Sequence, residues 1–321
     1  MPMTDLPLDQ LRTYRGTNPR PQDFDTYWAQ ALAELDGVDP LPQLAPAAFQ
    51  AEIAQCYDLT FRGVRDGEIY AQYLRPRTPG PHPCVLLFHG YTMNSGDWSA
   101  KLALVSQGFC VAAMDCRGQG GKSRDPGGVS GNTYKGQIIR GLQDGPQDLL
   151  FRHIFLDTVQ LTRVVSSLDE VDPARLGAMG ESQGGALCVA CSALSGQIAR
   201  SVVQYPFLSD FQRVWNMGLG GNAYSELYDY FRRFDPLHER EADTFLRLGY
   251  IDVHHLAPWV RNPVLMASGL DDKTCPASTH FAVYNNLGTQ DKELKVYPDY
   301  GHEYLPGWAD LAFAFLSQLR R

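Results

Sequence analysis

From Pro83 onward the chain alternates short, almost wholly apolar runs with amphipathic segments, and this alternation limits its folding choices more than any other feature. Runs too short for helices yet apolar on both faces suit a parallel sheet covered on both sides, and the amphipathic segments supply the covering helices. The strand candidates are 84–88, 110–115, 176–179, 201–204, 264–267 and 294–297, with helices at 98–106, 148–167, 184–194, 277–287 and 309–319. Upstream, 57–62 and 69–75 alternate as antiparallel strands do, with Arg65-Asp66-Gly67 between them, so a hairpin is expected to open the sheet. Phe24, Tyr27, Trp28, Ala31 and Leu32 recur at helical spacing and predict an N-terminal helix over 23–35, ended by the Pro-rich stretch 39–46. Residues 210–259 break the alternation with a Tyr/Phe/Arg-rich helical pattern, read as an insertion over the sheet. The expectation is one α/β domain over 1–321, with 1–56 as a helical extension.

Composition removes several function classes. The chain is long enough to bury a substantial core, and its 28 Lys+Arg against 36 Asp+Glu leave a net charge of −8. No basic run gathers into a patch that could neutralise phosphates, which argues against nucleic acid or an anionic membrane as partner. Residues 1–10 carry acids and prolines where an export signal needs a basic start and an apolar stretch, so no export is expected. The longest apolar runs, such as 84–88 and 110–114, fall far short of the roughly 20 residues that span a bilayer. Seven cysteines, an odd number spread thinly, do not suggest a disulfide framework, and the cytoplasm is the expected location.

The sharpest local signal is Gly180-Glu181-Ser182-Gln183-Gly184, a G-x-S-x-G pentapeptide between the apolar strand 176–179 and an Ala-rich helix. Strand, tight turn and helix in that order form a nucleophile elbow, in which the serine is exposed at the helix N-terminus and the glycines avoid collision with neighbouring backbone. A serine hydroxyl is a weak nucleophile at neutral pH and needs a base that is itself oriented by a carboxylate. His302 follows the last strand candidate and precedes the last helix, and Asp271-Asp272 follow the strand 264–267. Serine, aspartate and histidine therefore occur in the α/β-hydrolase order, although spacing alone does not choose between the two aspartates. A developing oxyanion needs donors as well. The amide of Gln183, next after the serine, is one; the amide of Tyr91, in the loop after the strand 84–88, is the candidate for the second, a plain turn at His89-Gly90 being the other reading.

Competing motifs fail. Gly118-Gln119-Gly120-Gly121-Lys122-Ser123 resembles a phosphate loop, yet the glycine that pattern requires is replaced by Cys116. Cys188 and Cys191 have redox spacing but fall within the helix after the elbow, where packing explains them. His254-His255 has no acidic or cysteine partner at ligand spacing, so no metal site is expected.

Together, Arg117-Gly118-Gln119, Gly180-Glu181-Ser182-Gln183-Gly184 and His302-Glu303 resemble the three signature motifs of the cephalosporin C deacetylase and acetyl xylan esterase family, carbohydrate esterase family seven. The likeness runs nearly end to end, from Asp23-Phe24-Asp25 and Trp28 through His89-Gly90-Tyr91 and Pro206-Phe207-Leu208 to Cys275-Pro276. The resemblance implies that the catalytic acid is the residue three places before the Cys-Pro pair, Asp272, and that Ser182 and His302 complete the triad. It implies oxyanion donors from Tyr91 and Gln183, and a small acetyl-sized pocket with Tyr91 and Pro206 at its wall. Arg117, Gly118 and Gln119 then serve as scaffold beneath the site and Glu303 supports the histidine loop. The implied activity is removal of acetyl groups from small acetylated sugars and cephalosporin C-type acetates, without metal or organic cofactor, by a homo-oligomer, a ring-like hexamer. Another serine hydrolase on the same fold, a longer-chain esterase, thioesterase or peptidase, is the alternative. Glu181 departs from the pattern, since many relatives carry glycine there.

Overall fold

The structure, a computed structural model, describes residues 5–126, 135–219 and 222–320 of the chain. Among the described residues nine strands form one sheet: β1 Gln43–Pro46, β2 Ala54–Arg62, β3 Glu68–Pro76, β4 His82–Phe88, β5 Cys110–Met114, β6 Val171–Glu181, β7 Ile198–Gln204, β8 Val264–Gly269 and β9 Lys292–Tyr297, in the order β1-β2-β3-β5-β4-β6-β7-β8-β9. The first three pair antiparallel and β3 joins β5 antiparallel, whereas β5, β4, β6, β7, β8 and β9 run parallel. This is the α/β-hydrolase fold, a large central sheet flanked by helices. Its centre is dry because the strands carry apolar side chains on both faces: every residue of β5 and of β8 is buried. Among the described residues no helix is long and apolar enough to cross a membrane.

Each strand candidate lies within an observed strand or overruns it by one residue, as does 110–115 on Cys110–Met114. The hairpin is present, with Phe61 opposite Ile69 and a 3-10 turn at Val64–Asp66. The Pro-rich stretch differs from expectation. The helix Phe24–Asp36 stops before it, but Gln43–Pro46 goes on to form an edge strand on β2. All four of its residues are exposed, so no apolar alternation marked it, and an edge is where proline fits a sheet. The expected N-terminal helical extension thus contributes a strand as well. Trp28 on that helix is fully buried, stacks on Phe155 at 5.9 Å and donates its indole N–H to the Tyr250 carbonyl at 3.1 Å. It clamps the helix against Leu150–Ser166, the 17-residue helix on this face of the sheet. The expected helix 98–106 divides into a 3-10 segment Trp98–Lys101 and a short helix Leu102–Ser106.

The insertion is helical as expected, with Phe211–Asn216, Ser225–Phe234, Glu241–Leu248 and Val253–Leu256; its residues 220 and 221 lie outside the described residues. Its aromatics pack on each other, Trp215 lying 4.6 Å from Phe231 and 6.0 Å from Phe245. Within the sheet β4 has β5 on one side and β6 on the other, so the chain winds outward in both directions from β4. Loops leaving the carboxyl ends of parallel strands diverge at such a point and leave a crevice between them.

Candidate active site

The elbow forms where β6 ends at Glu181 and the helix Gln183–Ser195 begins. Ser182 alone makes the turn, with φ +54° and ψ −120°, a conformation that an L-residue adopts only when its surroundings over-determine it. Here the Ser182 amide donates to the Gln204 carbonyl of β7 at 3.0 Å, and its carbonyl accepts from the Phe207 amide at 3.0 Å. The flanking glycines are sterically required. A Cβ at Gly180 would lie 2.2 Å from the Gly184 carbonyl oxygen, and one at Gly184 would lie 2.0 Å from that of Phe88. β4, β6 and β7 therefore fix the serine at the mouth of a cavity of about 770 Å³.

The loop after β8 carries Asp272 and the loop after β9 carries His302, which lines the same cavity as Ser182. His302 Nδ1 lies 2.7 Å from Asp272 Oδ2, while Asp272 Oδ1 accepts the amides of Thr274 and Cys275, each at 2.8 Å. The carboxylate is buried and its pairing sets the imidazole tautomer, with the proton on Nδ1 and the lone pair on Nε2. Asp271 is displaced from this pair: its carboxylate is 45% exposed and lies 3.8 Å from Lys273 Nζ. Tyr205, at the end of β7, places its ring 4.3 Å from the imidazole.

Thr92, next after Tyr91, and Gln183 are joined through a third residue. Gln119 accepts the Thr92 amide at 3.0 Å through Oε1 and donates through Nε2 to Gln183 Oε1 at 2.7 Å, so the segment after β4 and the residue after the serine share one buried brace. Beneath it Arg117 is fully buried, bound in two places to Asp157 at 2.6 and 2.7 Å and to the Val64 carbonyl at 3.1 Å. Burial opposes its charge, but Asp157 prevails and raises its pKa. Gly118 turns the chain at φ +71°. Glu303 accepts the Gly301 amide at 3.0 Å and so ties the two sides of His302 together. Of these expected scaffold residues Glu303 lines the cavity, whereas Arg117 and Gln119 are buried and do not. Pro206 does not line it: its backbone packs against Gly185 on the elbow helix, and Tyr205 occupies the wall instead. The reason is the elbow itself, which draws 206–207 under Ser182 through the Phe207 amide.

Glu226 also lines the cavity, and the sequence reading omitted it. Its carboxylate is buried, accepts the Tyr91 hydroxyl and takes the amides of Ile138 and Ile139 at 2.6 and 3.1 Å. Burial raises its pKa against the pull of those donors. The aromatic run 223–231 carries two acids, Glu226 and Asp229, and nothing local singles out the first. The ring of Tyr91, which lines the cavity, is backed by Phe207 at 5.2 Å and Phe151 at 6.4 Å, both fully buried. Glu181, beside the serine, is exposed at the rim with Tyr205 Oη 3.4 Å from its carboxylate.

The reading that His254-His255 lacks an acidic partner is corrected. Asp252 brings its carboxylate within 4.8 Å of both rings, a grouping of ligand atoms that could hold a metal ion. The missed spacing reflects a turn: Asp252 caps the short helix Val253–Leu256 and so lies back over His254. Its Oδ1 takes His254 Nδ1 at 2.6 Å and the His254 amide at 3.2 Å, and its Oδ2 takes the Phe211 amide at 3.4 Å. Those bonds engage both oxygens and the nearest ring nitrogen, the work of a cap that anchors the insertion.

Comparison with known proteins agrees with this geometry. The acetyl xylan esterase (AXE1) family model matches residues 1–319. Acetyl xylan esterase 1 from a Thermoanaerobacterium species is 55% identical with a TM-score of 0.96, covering 99% of this chain and 100% of that one. An acetyl xylan esterase from a Paenibacillus species is 32% identical with a TM-score of 0.91, covering 98% and 99%. The acetyl esterase Axe7A of Xylanibacter ruminicola is 26% identical over 287 residues, 87% of this chain, and this chain spans 62% of its length. A strained serine elbow, an Asp272–His302 pair opening on the same cavity, and a family match over nearly every residue lead to one statement: the chain belongs to the acetyl xylan esterase family.

Proposed function

We propose that the protein is a serine esterase that removes acetyl groups from small acetylated sugars, xylo-oligosaccharides above all, and from cephalosporin C-type acetates. The observation that carries this is the 2.7 Å contact of buried Asp272 with His302, which lines the cavity that Ser182 lines too. The Ser182 hydroxyl adds to the ester carbonyl while His302 Nε2 takes its proton, and Asp272 steadies the imidazolium that results. The amides of Gln183 and Tyr91 receive the oxyanion, placed by the Gln119 brace. Collapse transfers the proton from His302 to the departing sugar hydroxyl and leaves an acetyl-serine. Water, deprotonated by the same nitrogen, releases acetate and regenerates Ser182. The rigid backing of the Tyr91 ring by Phe151 and Phe207 favours a short acyl group, while about 770 Å³ of open cavity accommodates the alcohol half.

Seven buried free thiols favour a reducing compartment, and with it a cytoplasmic role on short acetylated oligosaccharides. The family relationship is the ground for a homo-oligomer, a hexamer. The direct test is acetate release from acetylated xylo-oligosaccharide by the wild type and by Ser182→Ala. The variant should lose about 10⁴- to 10⁶-fold in turnover while keeping its fold. Near wild-type turnover in that variant, or faster cleavage of amides than of acetates by the wild type, would overturn the reading.

A further inference from the structure

A second histidine stands behind the carboxylate of Asp272. His280, on the helix Ala277–Asn286, is fully buried, and its Nε2 lies 3.9 Å from Asp272 Oδ2, the oxygen that His302 engages at 2.7 Å. Among the described residues that Nε2 has no hydrogen-bond partner. The other ring nitrogen, Nδ1, lies 2.9 Å from the buried Ser268 hydroxyl on β8. The carboxylate selects the tautomer: a lone pair on Nε2 would face a negative oxygen, whereas an N–H there presents its positive end. The Ser268 hydroxyl then donates to Nδ1, and the ring stays neutral, because burial pushes it down to about 4 against the pull of Asp272. Oδ1 is already held by two amides, so Oδ2 is the oxygen whose direction is left to be set.

We propose that His280 is a positioning residue for Asp272, its Nε2–H holding Oδ2 in line with His302. The inference rests on the reading of Ser182, His302 and Asp272 as a triad. At 3.9 Å the contact is an electrostatic one in the resting protein, and such contacts shorten as charge develops in the reacting complex. The effect belongs to the transition state, when His302 carries the proton and the direction of the carboxylate counts, and not to substrate binding.

The test compares steady-state hydrolysis of an aryl acetate by the wild type, His280→Leu, His280→Gln, Ser268→Ala and Ser182→Ala, with melting temperatures alongside. His280→Leu should lower kcat roughly three- to tenfold, the loss of part of one hydrogen bond to a charged group, with KM unchanged. His280→Gln, which places an amide N–H near the position of Nε2, should recover most of that loss. Wild-type kcat in a folded His280→Leu, a change confined to KM, or a folded His280→Gln as slow as His280→Leu would overturn the proposal. If His280→Leu fails to fold, Ser268→Ala decides, since it removes the hydroxyl that holds the ring through Nδ1 and so keeps Nε2 on Asp272. A lower kcat at constant KM supports the proposal and a wild-type kcat rejects it. Activity retained in Ser182→Ala would instead reject the triad reading itself, so the two failures are distinguishable.

Discussion

Two aspartates stand side by side after β8, and one rotation of the backbone separates their fates. Asp272 is turned inward, where Thr274 and Cys275 hold one oxygen and His302 the other; Asp271 is turned outward beside Lys273. Asp272→Asn should therefore lower kcat by about 10⁴-fold through loss of the tautomer that the carboxylate enforces, with Asp271→Asn causing at most a minor loss. Parallel kinetics on the purified variants check this, and equal losses would contradict it. The places of Ser182 and His302 in the fold were legible because an elbow has compulsory glycines and a fixed place after a strand, and the histidine loop follows the last strand. The choice of aspartate was not legible from spacing, since both lie in the same loop and only the path of the backbone distinguishes them. Glu226 was illegible because its partner Tyr91 is distant in sequence, and His280 because no local motif marks the turn that brings it back to Asp272.

Among the elements, the parallel strands were the easiest to read, because burial on both faces leaves continuous apolar runs. The edge strand Gln43–Pro46 was the hardest, having neither buried face nor β-forming residues. The helix Ser225–Phe234 acquires a role that its sequence does not announce. By presenting Glu226 to the Tyr91 hydroxyl and to the amides of Ile138 and Ile139, it sets the wall opposite the serine. Glu226→Ala would leave three donors without their acceptor, at about 1–3 kcal/mol for each that water does not reach. The expected outcome is a lower melting temperature together with reduced kcat/KM, and Glu226→Gln, which still accepts hydrogen bonds, should fall between the two. An Ala variant with the melting temperature and kinetics of the wild type would separate the insertion from the site.

For the whole molecule, the sheet gathers loops from β4, β6, β7, β8 and β9 around one cavity, and a single layered body holds them in register. The sequence indicated that layering through its alternation; it held no stripe from which assembly could be read, so the oligomer rests on the family relationship. Light scattering should give about 215 kDa, six times the 35.8 kDa chain, and a mass near that of one chain across a working concentration range would reject the hexamer. The aromatic backing of Tyr91 bears on acyl length more directly. An added methylene in an open apolar site gains about 0.8 kcal/mol, whereas one forced against a closed wall costs about 1–3 kcal/mol. The deciding measurement is kcat/KM for aryl acetate, butyrate and octanoate under identical conditions: a steep fall beyond acetate is the predicted result, and a rise toward octanoate would contradict a deacetylase.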